Sequence, residues 1–279
     1  MQTKNVYMFY LIISVALIPI LNNFFEILRQ PYSWWLVPLL IIAFFVGLIV
    51  LQIAIVLLMI VFTNLNKPVD KSEAFFRSLL RLSLPVILWA ARAKIIKKGF
   101  DREIPENTRM MFVCNHQHDF DPVIILSAFP DEYLAFIGKK EIFTTMPFIS
   151  RAMHRLRSLP IDRENDREAA KTIINAIKLI KEDKASIAIF PEGYTSKTDE
   201  LLPFRNGAFK IAVKANVPIM VCAINNTKAL PKNIFRRKTE VEFRLLDILT
   251  PERFEGMNTQ QIGEIVHKQM EDALKEMRK

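Results

Sequence analysis

The densest group of side chains able to do chemistry is Asn115-His116-Gln117-His118-Asp119-Phe120-Asp121-Pro122, directly after the apolar run Met110–Cys114. An imidazole works as a base near neutral pH when a carboxylate holds one ring nitrogen as N–H and leaves the other free to take a proton. His116 and Asp121 have the types for that pair, but five positions apart they fall on different faces of one straight helix. A turn between a strand and a helix can instead fold Asp121 back onto the ring. Asp121-Pro122 reads as the start of that helix, with Asp at the N-cap and Pro at the first helical position. The plainer reading of the same residues is a capping Asp121 and a His116 that only decorates a loop.

A zinc site of the His-x-His-x-Asp-His kind fails on order: Phe120 stands where the Asp belongs and Asp121 where the third His belongs. The two remaining histidines, His154 and His267, lie in helical contexts, so ligands run short and no metal is expected. Phe190-Pro191-Glu192-Gly193-Tyr194-Thr195-Ser196-Lys197 is a second cluster, after the apolar run from Ser186. Pro and Gly around one Glu make a tight turn that presents a carboxylate and backbone N–H groups. Gly138-Lys139-Lys140-Glu141 and Pro160-Ile161-Asp162-Arg163 each bring cations to a strand or loop end, where a phosphate can be held. Solvated surface turns account for any one of these segments taken alone; their concentration in one stretch of chain argues for a site.

The elements that must position them alternate. Strands are expected at Met110–Cys114, Tyr133–Ile137, Ser186–Phe190, Ile219–Ile224 and Val241–Leu246. Helices are expected at Pro122–Ala128, Arg167–Lys181, Gly207–Ala215 and Thr259–Met277. That alternation predicts an α/β domain over 99–279, a mixed, mostly parallel sheet flanked by helices. Ligand sites in such sheets gather at the carboxyl ends of the strands, where the clusters above fall.

The preceding third of the chain is of another kind. No charge occurs from Asn5 to Phe25, nor from Trp34 to Phe62, with a short break containing Glu26, Arg29, Gln30 and Pro31. The longer run reaches roughly 43 Å as a helix, beyond the ~30 Å of hydrocarbon in a bilayer, which leaves room for tilt. Residues 1–66 therefore read as a membrane-anchoring helical hairpin, with Tyr32, Trp34 and Trp35 suited to a headgroup belt. Spanning the bilayer and dipping into one leaflet both fit. The stretch 67–98 is strongly basic, with Arg77 and Arg81 on one face of an amphipathic helix that suits either a membrane interface or packing on the domain. The positive-inside bias puts everything after Phe62 in the cytoplasm, at the cell membrane.

The formal net charge of +9 favours anionic partners: anionic lipid, phosphorylated substrates, coenzyme A, acidic carrier proteins or nucleic acid. Nucleic acid is set aside, because no nucleic-acid module is recognisable and much of the bias lies beside the apolar segment. Cys114 and Cys222 are far apart and expected to be small buried hydrophobes. Oligomeric state is not legible.

Over roughly residues 95 to 230 the sequence resembles the glycerolipid acyltransferases, specifically the 1-acylglycerol-3-phosphate acyltransferases. Asn-His-Gln-His-Asp-Phe-Asp matches the family's His-x4-Asp motif, which implies His116 as general base and Asp121 as its partner. Lys139, Lys140 and Arg163 look like the second motif, which implies a clamp on the acceptor's phosphate. Phe190-Pro191-Glu192-Gly193 looks like the third, adding Glu192, Gly193 and Lys197 to that clamp, and Val217-Pro218-Ile219 like the fourth, on the acyl side. The third motif usually continues Glu-Gly-Thr-Arg-Ser; here Tyr194 and Thr195 follow, so Lys197, Arg205 or Lys210 must substitute for the Arg, or the acceptor is held differently. What the resemblance implies is acyl transfer from acyl-CoA or acyl carrier protein to lysophosphatidic acid in the membrane, with no cofactor. No Gly-x-Ser-x-Gly elbow is present, so no acyl-enzyme is expected.

Overall fold

In a computed structural model, which describes residues 3–25, 35–69, 73–105, 108–196, 198 and 200–278, the domain is built on a seven-stranded sheet. The strands are β1 Ala93–Lys98, β2 Met111–Cys114, β3 Leu134–Lys139, β4 Leu159–Ile161, β5 Ser186–Ile189, β6 Ile219–Asn225 and β7 Thr239–Leu249, in the order β1-β7-β6-β2-β5-β3-β4. Strands β2 to β6 are mutually parallel; β7 runs antiparallel to β6, and β1 follows β7. The five expected strands are all present. Central β2, β5 and β6 are buried on both faces, which is why they read as uninterrupted apolar runs.

Two edge strands are absent from the sequence reading. β1 is Ala-Lys-Ile-Ile-Lys-Lys, whose lysines blunt a sheet edge and made it look like the tail of a basic helix; the domain's sheet thus begins before residue 99. β4 is Leu-Pro-Ile, three residues with a proline that an edge strand tolerates.

Helices α4 Asp121–Ala128, α7 Asp166–Lys181, α8 Lys210–Ala215 and α10 Thr259–Met277 correspond to the expected ones, the third opening with a 3-10 turn at Asn206–Phe209. α5 Lys140–Thr145, α6 Pro147–Arg155 and α9 Leu230–Asn233 are too short for a periodic signal. Two apolar clusters fill the faces of the sheet: Ile189, Phe209 and Val266 lie in one, Phe112, Phe129 and Phe243 in the other.

The N-terminal segment forms α1 Thr3–Phe25 and α2 Leu36–Val61, two helices long and apolar enough to cross a membrane. Their outer faces, with Ile12, Val15, Leu39, Ile42 and Val46, are bare. Tyr32 and Trp34, expected in a headgroup belt, lie outside the described residues. α3, Glu73–Ala90, runs antiparallel to α2: Phe76 packs with Val56 and Ile60, and Ser83 Oγ accepts from Gln52 Nε2 at 2.9 Å. Tyr10 Oη donates to Gln52 Oε1 at 2.8 Å, so one buried amide ties the three helices. Of the two roles open to α3, its Arg77 takes the packing one. That guanidinium pairs with Glu73 at 2.9 Å and donates to Leu134 O and Leu156 O at 3.1 and 3.0 Å.

Candidate active site

Because β2 to β6 are parallel, the segments following them meet at one edge of the sheet. β2 ends at Cys114, and the next side chain, Asn115, is clamped to β6: its amide accepts from Ile224 N–H at 2.7 Å and donates to Ile224 O at 2.9 Å. This fixes where the chain leaves the sheet. His116 follows, and its Nδ1 lies 2.9 Å from Asp121 Oδ2. The same oxygen accepts the N–H of Gln117 at 2.6 Å and of His118 at 2.9 Å. The carboxylate therefore folds the turn around itself. It does not cap α4: Phe120 holds the N-cap position, and the oxygen expected to cap forward bonds backward, to the loop donors. The imidazole is stacked on Phe190, centroids 4.2 Å apart and planes 17° apart. With Nδ1 held by a wholly buried carboxylate, Nε2 is the nitrogen left to take a proton.

The turn after β5 is locked to this loop. Glu192 Oε1 accepts His116 N–H at 2.7 Å and Oε2 accepts Leu202 N–H at 2.8 Å, while Ser196 N–H donates to His116 O at 3.0 Å. Burial pushes the Glu192 carboxyl up, against the pull of its two N–H donors. Gly193 has φ +78°, a left-handed conformation that favours glycine. A Cβ there would meet Arg205 Nε at 3.2 Å and Arg163 Nε at 3.7 Å. Both guanidinium groups also face the Tyr194 ring, at 5.0 Å for Arg163 and 5.9 Å for Arg205. Partial burial pulls the Arg163 guanidinium down, and the neighbouring Arg205 adds to that; the Tyr194 hydroxyl opposes it.

Phe190, Gly193, Arg163 and Arg205 also line a cavity of about 580 Å³, whose walls are otherwise largely apolar, with Ile137 and Ile173 among them. Arg163 and Arg205 thus put positive charge on the wall of an apolar cavity that Phe190 shares with the His116 ring.

Residues 96–225 match the family model named Acyltransferase. Similar curated proteins include the 1-acyl-sn-glycerol-3-phosphate acyltransferases of Saccharomyces cerevisiae, 31% identical over 60% of this chain and 56% of that protein, and of Haemophilus influenzae, 34% identical over 46% and 55%. The likeness to that family thus covers nearly half of the chain, from the start of the sheet to the end of β6. The relative of that name from Borreliella burgdorferi is 28% identical over 64% of this chain and 72% of its own. Across most of these relatives the chain spans about half their length. The crystal structure of the 1-acyl-sn-glycerophosphate (LPA) acyltransferase of Thermotoga maritima superposes with a TM-score of 0.63, covering 82% of this chain and 90% of that one, at 21% identity; the likeness is one of fold.

Within the α/β domain the residues singled out in sequence do not all converge. His116, Asp121, Gly193 and Arg163 do. Lys139 ends β3 at the same edge, 3.7 Å from Glu141, and Lys140 opens α5 with its ammonium 3.0 Å from Asp162. The pair holds Lys140 above and Asp162 below its ordinary value. Neither lysine lines the cavity. Glu192 is buried with both oxygens occupied by backbone N–H groups, so it braces the loops and offers nothing to a phosphate. Lys197 lies outside the described residues.

Val217 and Pro218, expected on the acyl side, lie away from His116 and do not line the cavity. They precede β6 at its amino end, where Pro218 O accepts Met111 N–H at 2.9 Å, six residues of strand from His116 and roughly 20 Å away by strand rise. They belong to the hydrophobic core at the opposite edge.

Among the cations offered as substitutes for the missing third-motif Arg, Arg205 is the one that flanks Gly193. The role of Phe190 was missed. Its position immediately before Pro191 was visible, but stacking against a residue some seventy positions away leaves no local signal.

Proposed function

We propose that this chain transfers a fatty acyl group from a thioester, acyl-CoA or acyl carrier protein, to the free hydroxyl of 1-acylglycerol-3-phosphate, giving phosphatidic acid. His116 Nε2 takes the proton from that hydroxyl as its oxygen attacks the thioester carbon. The C–S bond then breaks, the thiolate leaves with the proton returned by the imidazolium, and Asp121 offsets the charge held meanwhile on the ring. Positioned base catalysis of this kind supplies about 10²–10⁴-fold. Arg163 and Arg205 hold the acceptor's phosphate; Lys139 and Lys140 supply outer positive charge. The apolar cavity takes an acyl chain. No cofactor enters the scheme.

The observation that carries the reading is the shared ring of Phe190, which packs on the His116 imidazole and lines the cavity walled by Arg163 and Arg205. Base, anion site and apolar site are thereby contiguous. The names of the relatives favour the same acceptor.

The apolar hairpin supports a reading in which this cleft works at a membrane. Gln52 stands level with Ser83, so the part of α2 from Leu36 to Gln52 rises about 24 Å beyond that level, and α3 rises about 9 Å to Trp89. The apolar projection beyond the domain is about 15 Å, half the ~30 Å hydrocarbon core. That favours insertion into one leaflet, on the cytoplasmic side by the positive-inside bias.

The test is a panel of acceptors (1-acylglycerol-3-phosphate, glycerol-3-phosphate and other lysophospholipids), each with acyl-CoA and acyl carrier protein, using the purified full chain. Phosphatidic acid formed fastest from 1-acylglycerol-3-phosphate is expected. Transfer to none of them, or an undiminished rate in His116→Ala, ends the proposal.

A further inference from the structure

One surface element has no part in the chemistry above: the turn joining α9 to β7. Phe235 in that turn is 94% exposed, more than any other large apolar side chain among the described residues. Lys232, Arg236, Arg237 and Lys238 beside it are also exposed, and no acidic residue lies between Thr227 and Thr239. The turn is braced. Arg236 and Arg237 N–H both donate to Asn233 O, at 2.8 and 3.0 Å, and Asn233 Nδ2 donates to Thr239 Oγ1 at 3.0 Å. Leu230 roots α9 in the core. Phe235 is therefore held outward by an ordered turn, at the cost of exposing a large apolar ring, and such exposure marks an interaction site when it sits with others of its kind.

Its position supplies them. Thr239 N–H donates to Arg92 O at 2.8 Å, so the turn abuts the end of α3, where Trp89 is 76% exposed and Arg92 is exposed. Since β7 runs antiparallel to β6, Thr239 lies at the same sheet edge as His116. Since α3 runs antiparallel to α2, its Trp89 end points the way the bare apolar hairpin projects. Hairpin, Trp89 and the Phe235 turn thus lie toward the same end of the sheet, where Arg92, Arg236, Arg237 and Lys238 are also exposed.

We propose that the Phe235 turn is a second membrane-docking point, specific for a bilayer carrying anionic lipid. Phe235 enters the boundary between headgroups and acyl chains, and Arg236, Arg237 and Lys238 sit on anionic headgroups. Aromatic rings and basic residues partition in this way at interfaces, and each cation near an anionic surface adds attraction. The proposal rests on the reading of the hairpin as membrane-inserted, and adds what a hairpin alone does not supply. One anchor fixes depth but leaves the domain free to rotate and tilt; a second contact across the His116 edge holds the cleft against the surface where an anionic lipid resides.

The test uses single-cysteine labelling of the full chain with an environment-sensitive dye, feasible because Cys114 and Cys222 are buried. Labels go at Phe235→Cys, at Leu39→Cys on the hairpin, and at Lys184→Cys on the far edge of the sheet. Each is reconstituted in vesicles of phosphatidylcholine alone and of phosphatidylcholine with phosphatidylglycerol. The expected result is a blue-shifted emission, quenched by lipid-borne quencher, at Leu39 in both vesicles, at Phe235 chiefly in the anionic ones, and at Lys184 in neither. Arg236→Glu with Arg237→Glu is expected to abolish the Phe235 shift and leave that at Leu39. A lipid-buried Leu39 label with an aqueous Phe235 label overturns this proposal alone; an aqueous Leu39 label overturns the hairpin reading. A Phe235 label that shifts only on adding an acidic carrier protein assigns the turn to that partner and removes the lipid one.

Discussion

His116 Nδ1 is 2.9 Å from an Asp121 carboxylate oxygen that also accepts the N–H of Gln117 and His118. One oxygen therefore sets both the tautomer of the ring and the shape of the loop that carries it. Removing the base and removing its partner should consequently differ. His116→Ala leaves the loop donors satisfied, and its acyl-transfer rate is expected to fall by about 10²–10⁴. Its thermal stability should change little. Asp121→Asn keeps an acceptor and loses the charge, so it should lose at least tenfold in kcat with modest destabilisation. Asp121→Ala orphans buried donors, each costing about 1–3 kcal/mol. Initial rates beside thermal melts of the three variants separate these outcomes. An Asp121→Asn variant as fast as the parent removes the carboxylate from the mechanism.

Glu192 makes a distinct case, since its two oxygens span His116 N–H and Leu202 N–H. Glu192→Gln turns one acceptor into a donor facing a donor, and hydrogen bonds to a charged group contribute about 1.5–3 kcal/mol. The expected result is a lower melting temperature and a lower kcat with KM for the acceptor little changed; a rise confined to KM would restore Glu192 as a phosphate ligand. Burial holds this carboxyl above the ordinary glutamate range. The folded protein thus keeps the proton to higher pH than the unfolded chain. That stabilisation is complete below the unfolded pKa and fades as pH rises through the raised folded one. The stability gap between parent and Glu192→Gln should narrow across that window, as melts at a series of acidic pH values would register.

Arg163 and Arg205 both lie against Gly193. Arg205→Ala and Arg163→Ala are each expected to raise KM for a phosphate-bearing acceptor about tenfold or more, the effect of losing one charge-assisted contact worth about 1.5–3 kcal/mol. Their KM for the thioester should stay near the parent's. Gly193→Ala forces a Cβ toward Arg205 in a left-handed conformation that costs about 1–2 kcal/mol, and should mimic the arginine variants in part. Acceptor KM unchanged in the double Arg variant would move phosphate binding to Lys139 and Lys140.

How far the fold and site could be read from sequence follows from where each signal resides. The buried runs of β2, β5 and β6 stand out because a parallel core strand has no polar face, whereas β1 hid among lysines and β4 behind Pro160. The His116–Asp121 pair was legible because a five-residue spacing and a following Pro122 define one turn. The bracing role of Glu192 was not, since its partners are backbone groups supplied by two other loops. Nor could spacing along the chain say that Lys140 would spend its charge on Asp162 while Arg205, past the third motif, folded back to Gly193. Val217-Pro218 shows the converse failure. A familiar motif beside a core strand marks the strand, and only the parallel register reveals that it lies at the opposite end of that strand from His116.

That placement is testable against the cavity. Val217 is buried in the core at the amino end of β6, so Val217→Ala should cost about 1–3 kcal/mol in stability, the usual range for buried methyl groups lost. The preference among acyl chain lengths should not move. Ala170 lines the cavity on α7 and is exposed, so a larger side chain there projects into open space instead of into packed core. Ala170→Phe is therefore expected to lower kcat/KM for long-chain donors relative to short ones, with little change in melting temperature. The measurement is a ratio of rates on long and short acyl thioesters for both variants at one temperature. A ratio shifted by Val217→Ala and untouched by Ala170→Phe would move the acyl chain to the opposite edge of the sheet, away from the imidazole that must meet its carbonyl.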